Sequence, residues 1–241
     1  MPEPKTVVIS GGSKGLGLAV VKELLCLGYK VATFSRSKSE EINSIINHNN
    51  FYWESVDIDN LKDIKRFTTN VIKKFGRIDI LINNAAYLFE GLLAFSSSDK
   101  IGKSISINIM GTINLTQSCV KNMMRNKSGT ILNISSINSV RGHKGVSVYT
   151  ASKAAIDGMM KSLARELGPL NIRVNSISPG FFESNLVEYL SEERKKQIIK
   201  RTPLGRTSKV SEIVNVILFL VSDKASFISG QNISVDGGMT C

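Results

Sequence analysis

The chain has 241 residues, 42% of them hydrophobic and 21% charged, so it carries enough apolar material for a sizeable core and is not a disordered chain. Lys and Arg number 31 against 20 Asp and Glu, a formal charge of +11, which raises a polyanion-binding reading that the motifs must support or remove. No apolar stretch approaches the ~18 residues of a membrane span, no secretory h-region is present, and Cys26, Cys119 and Cys241 show no paired spacing for a disulfide framework or zinc site.

The compartment expected is the cytoplasm, with Cys26 and Cys119 buried as small apolar residues. In chain order the sequence predicts a strand over 6–10, then a helix over 15–27 with apolar Leu16, Ala19, Val20, Leu24 and Leu27, stopped by Gly28. A strand over 31–35, a short helix over 40–47 and a strand over 51–56 follow. A helix over 61–75 places Leu61, Ile64, Phe67, Val71 and Phe75 on one face and ends at Gly76. The run 78–82 is nearly all apolar, as a central parallel strand buried on both faces should be. Beyond it the patterns predict one long helix over 98–125, a strand over 129–135, a helix over 149–167, a strand over 172–178, a charged helix over 183–201, a helix over 210–221 and a last strand over 232–235. Strands alternating with helices imply βαβ units, hence the α/β class: a single-domain, Rossmann-type doubly wound parallel sheet of about seven strands with helices on both faces. No linker, repeat or low-complexity tract divides residues 1–241.

Two patterns carry chemistry. The first is Ser10-Gly11-Gly12-Ser13-Lys14-Gly15-Leu16-Gly17, between the first strand and first helix. Glycines there allow a tight turn and close backbone approach to a pyrophosphate, and the helix N-terminus supplies free N–H donors and a positive dipole end. The second is Tyr149 and Lys153, four residues apart at the start of a helix and therefore on one face. A free phenol has a pKa of roughly 10, and a nearby ammonium favours the phenolate, so the pair reads as a general acid/base with Lys153 lowering the pKa of Tyr149. Ser136 ends the fifth strand thirteen residues earlier, Asn108 lies inside the long helix, and Asn83-Asn84-Ala85-Ala86 and Pro179-Gly180 follow the fourth and sixth strands, at the carboxyl ends where open α/β sheets bind ligands.

With these residues in hand, the chain resembles the short-chain dehydrogenase/reductase family over essentially its whole length. The matching segments are residues 10–17, 83–86, Asn108, Ser136, Tyr149-Thr150-Ala151-Ser152-Lys153 and 179–180, in family order and spacing. The resemblance implies that Tyr149 protonates the carbonyl oxygen in reduction, that Lys153 lowers its pKa and holds the nicotinamide ribose, that Ser136 orients the carbonyl, and that Asn108 holds a water in the proton relay. Ser135 and Ser139 are competing candidates for the serine role, and the spacing to Tyr149 favours Ser136. It also implies a cofactor site over Gly11, Ser13, Lys14, Gly15, Leu16, Gly17, Asn84, Ala85, Ala86, Pro179 and Gly180, with Asp57-Ile58 at the adenine. Ser10 stands where Thr is usual, and Ala86 where Gly is usual.

After the second strand, where an acidic residue would bond the ribose of NAD, stand Ser35, Arg36 and Ser37. A guanidinium suits a 2′-phosphate by charge and fork geometry, and Lys14 adds a second cation, so the expected cofactor is NADP(H). The substrate side is expected to be a lid over about 181–206, with Phe181, Phe182, Leu186, Tyr189 and Leu190 as an apolar lining. Within the family, residues 179–186 and 228–239 are most similar to 3-oxoacyl-[acyl-carrier-protein] reductases. That implies reduction of a carrier-bound 3-oxoacyl group, with Arg125 and Lys127 near the position of a carrier-docking cation and Leu170-Asn171 in place of a second one. The alternatives are a ketoreductase of secondary metabolism or of a free sugar or alcohol, and a non-catalytic NADP(H) sensor. His143, near the active-site loop, is read as a surface side chain. No His, Cys or carboxylate cluster suggests a metal, and no basic motif interleaved with aromatics, helix-turn-helix or zinc pattern supports a nucleic-acid partner. The family resemblance further implies a homotetramer.

Overall fold

A computed structural model describes residues 3–182 and 191–241. Seven strands, β1 (Thr6–Ser10), β2 (Lys30–Ser35), β3 (Phe51–Ser55), β4 (Ile80–Asn83), β5 (Gly129–Ile134), β6 (Ile172–Pro179) and β7 (Asn232–Val235), form one parallel sheet in the order β3-β2-β1-β4-β5-β6-β7. The helices are α1 (Gly15–Cys26), α2 (Glu40–Ile45), α3 (Leu61–Phe75), α4 (Ser98–Ile105), α5 (Thr112–Asn126), α6 (Ile137–Val140), α7 (Ser147–Leu167), α8 (Glu192–Arg201) and α9 (Val210–Val221).

The central strands are apolar throughout because alternate residues feed two cores. Val7, Ile9, Ile80, Ile82, Leu132 and Ile134 pack on one face with α1 and α9, while Val8, Leu81 and Ile131 pack on the other with α3, α5 and α7. The order reverses between β1 and β4, which opens a crevice at the strands' carboxyl ends. The glycine loop, Asn84, Ser136 and Gly180 all lie at that end.

Four local expectations are corrected. The helix expected over 98–125 is interrupted by a π-helical segment, Ser106–Gly111. Its cause is at Asn108, whose side chain turns to the backbone of Tyr87 and whose carbonyl accepts the Thr112 hydroxyl at 2.8 Å. β4 starts later than expected, because the Ile78 N–H bonds to the Asn122 side chain at 2.9 Å instead of to a strand. α6 is an added turn, capped by the Ser136 hydroxyl, which accepts from the Asn138 N–H at 3.1 Å. Cys119 is buried as expected, but Cys26 is exposed, since the last turn of α1 buries Leu24 and Leu25 and turns Cys26 outward. The charged helix expected over 183–201 is seen from Glu192, capped by Ser191; residues 183–190, with Leu186, Tyr189 and Leu190 of the expected lining, lie outside the described residues.

Candidate active site

The glycine loop is fastened to the next strand's end through side chains. The Ser10 hydroxyl accepts from the backbone N–H groups of Asn84 and Ala85, both at 3.0 Å. Asn84 Nδ2 donates to the carbonyls of Ser10 and Gly11 at 2.9 and 3.1 Å. Thr33 on β2 accepts from the Gly12 N–H at 3.0 Å. At Gly17 a Cβ would lie 2.3 Å from the Gly11 carbonyl oxygen, so only glycine lets α1 start this close to the loop. Gly15 is different: its φ is +56°, and a Cβ there would meet nothing within 4 Å. The loop is packed from below and open above, a cradle that fits a pyrophosphate against the α1 N-terminus. Ser13 lies in the loop with its carbonyl taken by Ser39, and Leu16 is buried, anchoring α1 in the core. Ala86 is exposed and not in the left-handed region, so its methyl fits the backbone there.

At the end of β2, Arg36 and Lys14 are both exposed, and neither side chain has a hydrogen-bond or ion-pair partner among the described residues. The hydroxyl of Ser35 is already engaged: it accepts from Trp53 Nε1 at 3.0 Å and donates to the Ser37 carbonyl at 2.8 Å. Trp53 is thus a positioning residue that pattern reading missed. Asp57 makes a turn, its Oδ1 accepting from the Asp59 N–H at 3.1 Å, and the Ile58 side chain is buried against Gly111. Pro179 ends β6, and the Gly180 N–H donates to Val235 at 3.0 Å, where a Cβ would lie 2.8 Å from Asp236.

The second cluster sits beyond β5. Ser136 is 8% exposed, and its hydroxyl lies near enough to the Tyr149 phenol to favour the phenolate. Ser135 instead turns to Asp157 at 2.8 Å, and Ser139 donates to the Ser136 carbonyl at 2.7 Å, so geometry separates the three serines. Lys153 is 5% exposed, donates to the Ile134 carbonyl at 2.6 Å, and holds its Nζ 5.7 Å from the centre of the Tyr149 ring. Burial pulls the Lys153 ammonium down to about 8, opposed by the charge of Asp157. Burial pushes the Tyr149 phenol up to about 12, opposed by the Ser136 hydroxyl. The phenol thus stands above its ordinary value rather than below it. Loss of water around the phenol outweighs the help available, and that help comes from Ser136.

The Asn108 side chain is held by its neighbours. Its Oδ1 accepts from the Tyr87 N–H at 2.7 Å, and its Nδ2 donates to the Tyr87 carbonyl and the Ser152 hydroxyl, both at 3.0 Å. The carboxamide clamps the segment after β4 to α7 and is spent on protein partners. His143 is half-buried, with Nδ1 against the Asn138 carboxamide; burial and the nearby Arg141 pull it below the ordinary histidine value. Asp157 escaped the motif reading, although it follows Lys153 at the same four-residue step as Lys153 follows Tyr149.

A nucleotide cradle joined across one sheet edge to a buried hydroxyl–phenol–ammonium cluster defines a dinucleotide-dependent oxidoreductase. Residues 11–240 match the family model described as enoyl-(acyl carrier protein) reductase. The 3-oxoacyl-[acyl-carrier-protein] reductase FabG of Thermotoga maritima is 37% identical over 242 residues, 98% of each chain. That of Staphylococcus aureus is 33% identical over 245 residues, 99% of each. Among solved structures, a short-chain type dehydrogenase/reductase from Mycobacterium ulcerans superposes with a TM-score of 0.93 at 30% identity, covering 98% of this chain and 90% of that one. ElxO with NADP bound superposes at 0.90 with 29% identity, covering 98% and 99%. The chain belongs to the short-chain dehydrogenase/reductase family. It is an oxidoreductase of the NAD(P)-dependent kind, acting on a hydroxyl or carbonyl group. Among the described residues no helix is long and apolar enough to cross a membrane.

Proposed function

We propose that this protein is an NADPH-dependent ketoreductase that reduces a 3-oxoacyl group carried on acyl carrier protein to the 3-hydroxyacyl form. The observation that carries the reading is the convergence at the end of β5 of the nearly buried Ser136 hydroxyl, the Tyr149 phenol and the buried Lys153 ammonium, whose Nζ lies 5.7 Å from the Tyr149 ring. Two convergent O–H groups suit a carbonyl oxygen, which accepts two hydrogen bonds; in a 3-oxoacyl group that oxygen sits on the carbon that takes the hydride, whereas in an enoyl thioester the acceptor carbon bears no oxygen. This favours a 3-oxoacyl over an enoyl substrate. The curated relatives named 3-oxoacyl-[acyl-carrier-protein] reductases support the same choice.

Gly11, Ser13, Gly15, Leu16, Gly17, Asn84, Ala85, Ala86, Pro179 and Gly180 line the dinucleotide's path along the strand ends, with Asp57 and Ile58 at its adenine end. Arg36 and Lys14 are exposed cations suited to a 2′-phosphate, with Ser35 and Ser37 shaping the turn that presents Arg36. The NADP-bound neighbour supports that preference. The bound dinucleotide supplies a hydride to the carbonyl carbon. Ser136 orients the carbonyl oxygen. Tyr149, protonated at neutral pH, donates its phenolic proton to that oxygen. Lys153 in its ammonium form stabilises the phenolate left behind, and Asn108 fixes the wall between Tyr87 and α7.

The basic surface suits an acidic carrier protein, with Arg125 and Lys127 exposed at the end of α5. Phe181, Phe182 and residues 191–206 border the substrate side of a single reductase domain. Exposed Met110 and Ile113 beside α5 and Phe227 before β7 offer apolar surface for a homotetramer. The compartment is the cytoplasm.

The test is NADPH consumption by the purified protein with 3-oxoacyl-carrier, enoyl-carrier, free ketone and keto-sugar substrates. The 3-oxoacyl carrier should turn over fastest, Tyr149→Phe should lower kcat by about 1000-fold, and Arg36→Ala should weaken NADPH by roughly tenfold while leaving NADH unchanged. Preference for the enoyl carrier, or unchanged turnover in Tyr149→Phe, overturns the reading.

A further inference from the structure

Tyr149, Lys153 and Asp157 recur every fourth residue on α7, so one helix face carries a phenol, an ammonium and a carboxylate in succession. The reading above uses the first two. The third is half-buried and forms no ion pair among the described residues. Asp157 Oδ2 accepts from the Ser135 hydroxyl at 2.8 Å and from Asn232 Nδ2 at 2.9 Å. The Asn232 amide is held in that sense because its Oδ1 takes the Ser178 hydroxyl at 2.9 Å. Asp157 Oδ1 is buried and meets no donor among the described residues.

A carboxylate placed in this way is costly unless a cation repays it. Its partners on β7 and the β5 turn, Asn232 and Ser135, are neutral, as is Ser178 on β6 behind Asn232. Lys153, one turn back, is the cation on which its charge acts, and among the described residues no other charged group perturbs Lys153. Tyr149 is the remaining titratable neighbour, on the same helix. The carboxylate also reaches the serine side of the site. Ser135 lies 3.1 Å from the Ser139 hydroxyl, which donates to the Ser136 carbonyl at 2.7 Å.

We propose that Asp157 is a positioning residue for this reaction: its carboxylate keeps Lys153 in the ammonium form and, through Ser135, steadies the turn that presents Ser136. The inference rests on the reading of Tyr149 and Lys153 as the proton-transfer pair. Burial already brings Lys153 down to about 8, close to neutral pH, and Asp157 opposes the fall. Without that charge a larger share of Lys153 is a neutral amine, which cannot stabilise a phenolate.

The experiment follows Lys153 directly, by NMR on protein with 13Cε-labelled lysines, the signal being identified by its loss in Lys153→Arg. In parallel, kcat for carbonyl reduction is measured against pH. Asp157→Asn keeps the side chain's shape and an acceptor for Ser135 but removes the charge. The Lys153 titration should fall by about one unit, and the alkaline decline of kcat should move down in pH by the same amount, with KM changed less than about twofold. Asp157→Glu should return both readouts towards the wild type. Ser135→Ala, which keeps the charge, should leave the titration in place. Asp157→Ser carries the same expectation as Asp157→Asn and serves if that variant does not fold. A Lys153 titration that overlays the wild type in the uncharged variants overturns the proposal, whatever the activity. A shifted titration with an unmoved pH profile overturns the catalytic reading of Lys153, and the positioning role falls with it.

Discussion

The two sides of the crevice are built to different standards. On the cofactor side, the loop over Gly11–Gly17 is held from three directions, by Ser10 and Asn84, by Thr33, and by the close approach of α1 at Gly17. On the substrate side, α8 leans on the body through a satellite cluster of only three buried apolar residues, Ile137, Ile198 and Met239, with Phe181 packed against it. A pyrophosphate presents the same shape in every turnover, so its cradle can be cast in backbone and core. On the proposed reading, substrate choice falls to elements that, among the described residues, bury little surface, and such elements can vary at low cost.

Crowding the cofactor side is the severest way to break this contrast. Gly17→Ala puts a methyl 2.3 Å from the Gly11 carbonyl and 2.6 Å from Asn84 Nδ2. We expect a loss of about 3 kcal/mol and a thermal midpoint lower by roughly 10 °C, with dinucleotide binding lost. A variant that melts with the wild type would show that the loop yields more than its packing implies.

Between the two sides lies Lys153, where function opposes stability. The folded state releases this proton near 8 and the unfolded chain near 10.5, so the unfolded chain binds more protons in between. The cost of burying the charge is therefore complete below about pH 8 and fades as pH rises towards 10.5. Lys153→Met should abolish reduction yet stabilise the fold by about 2 kcal/mol at pH 7. Denaturant titrations at several pH values check this: the gain should shrink between pH 8 and 10.5, and a gain that grows with pH would contradict the sign.

The smallest expected effect is on the substrate side. Ile198→Ala should cost about 1 kcal/mol of global stability, at the low end for a buried isoleucine because its cluster is so small. It should raise KM for the acyl substrate several-fold while leaving the dissociation constant of NADPH unchanged. Equal losses in both would mean that the satellite cluster supports the cradle as well.

Chain-local signals made much of this legible. The seven strands and their parallel pairing follow from apolar runs alternating with amphipathic helices, since each such run must be buried on both faces. The glycine loop was readable because tight turns and close approaches demand glycine. Tyr149 and Lys153 were readable because a four-residue step places side chains on one helix face. Asp157 obeys the same step and was overlooked because its partners, Ser135 and Asn232, come from distant parts of the chain.

What needed the tertiary structure was every quantity set by contacts between remote segments. The π-helical break at Asn108 depends on Tyr87 lying beside it, and the engagement of the Ser35 hydroxyl depends on Trp53 from the neighbouring strand. The direction of the Tyr149 shift depends on how completely the fold removes water from the phenol. Sequence spacing specifies which groups share a face, because helices and strands have fixed periods. It does not specify solvation, and for the buried Tyr149 phenol the loss of water outweighs the help of the Ser136 hydroxyl.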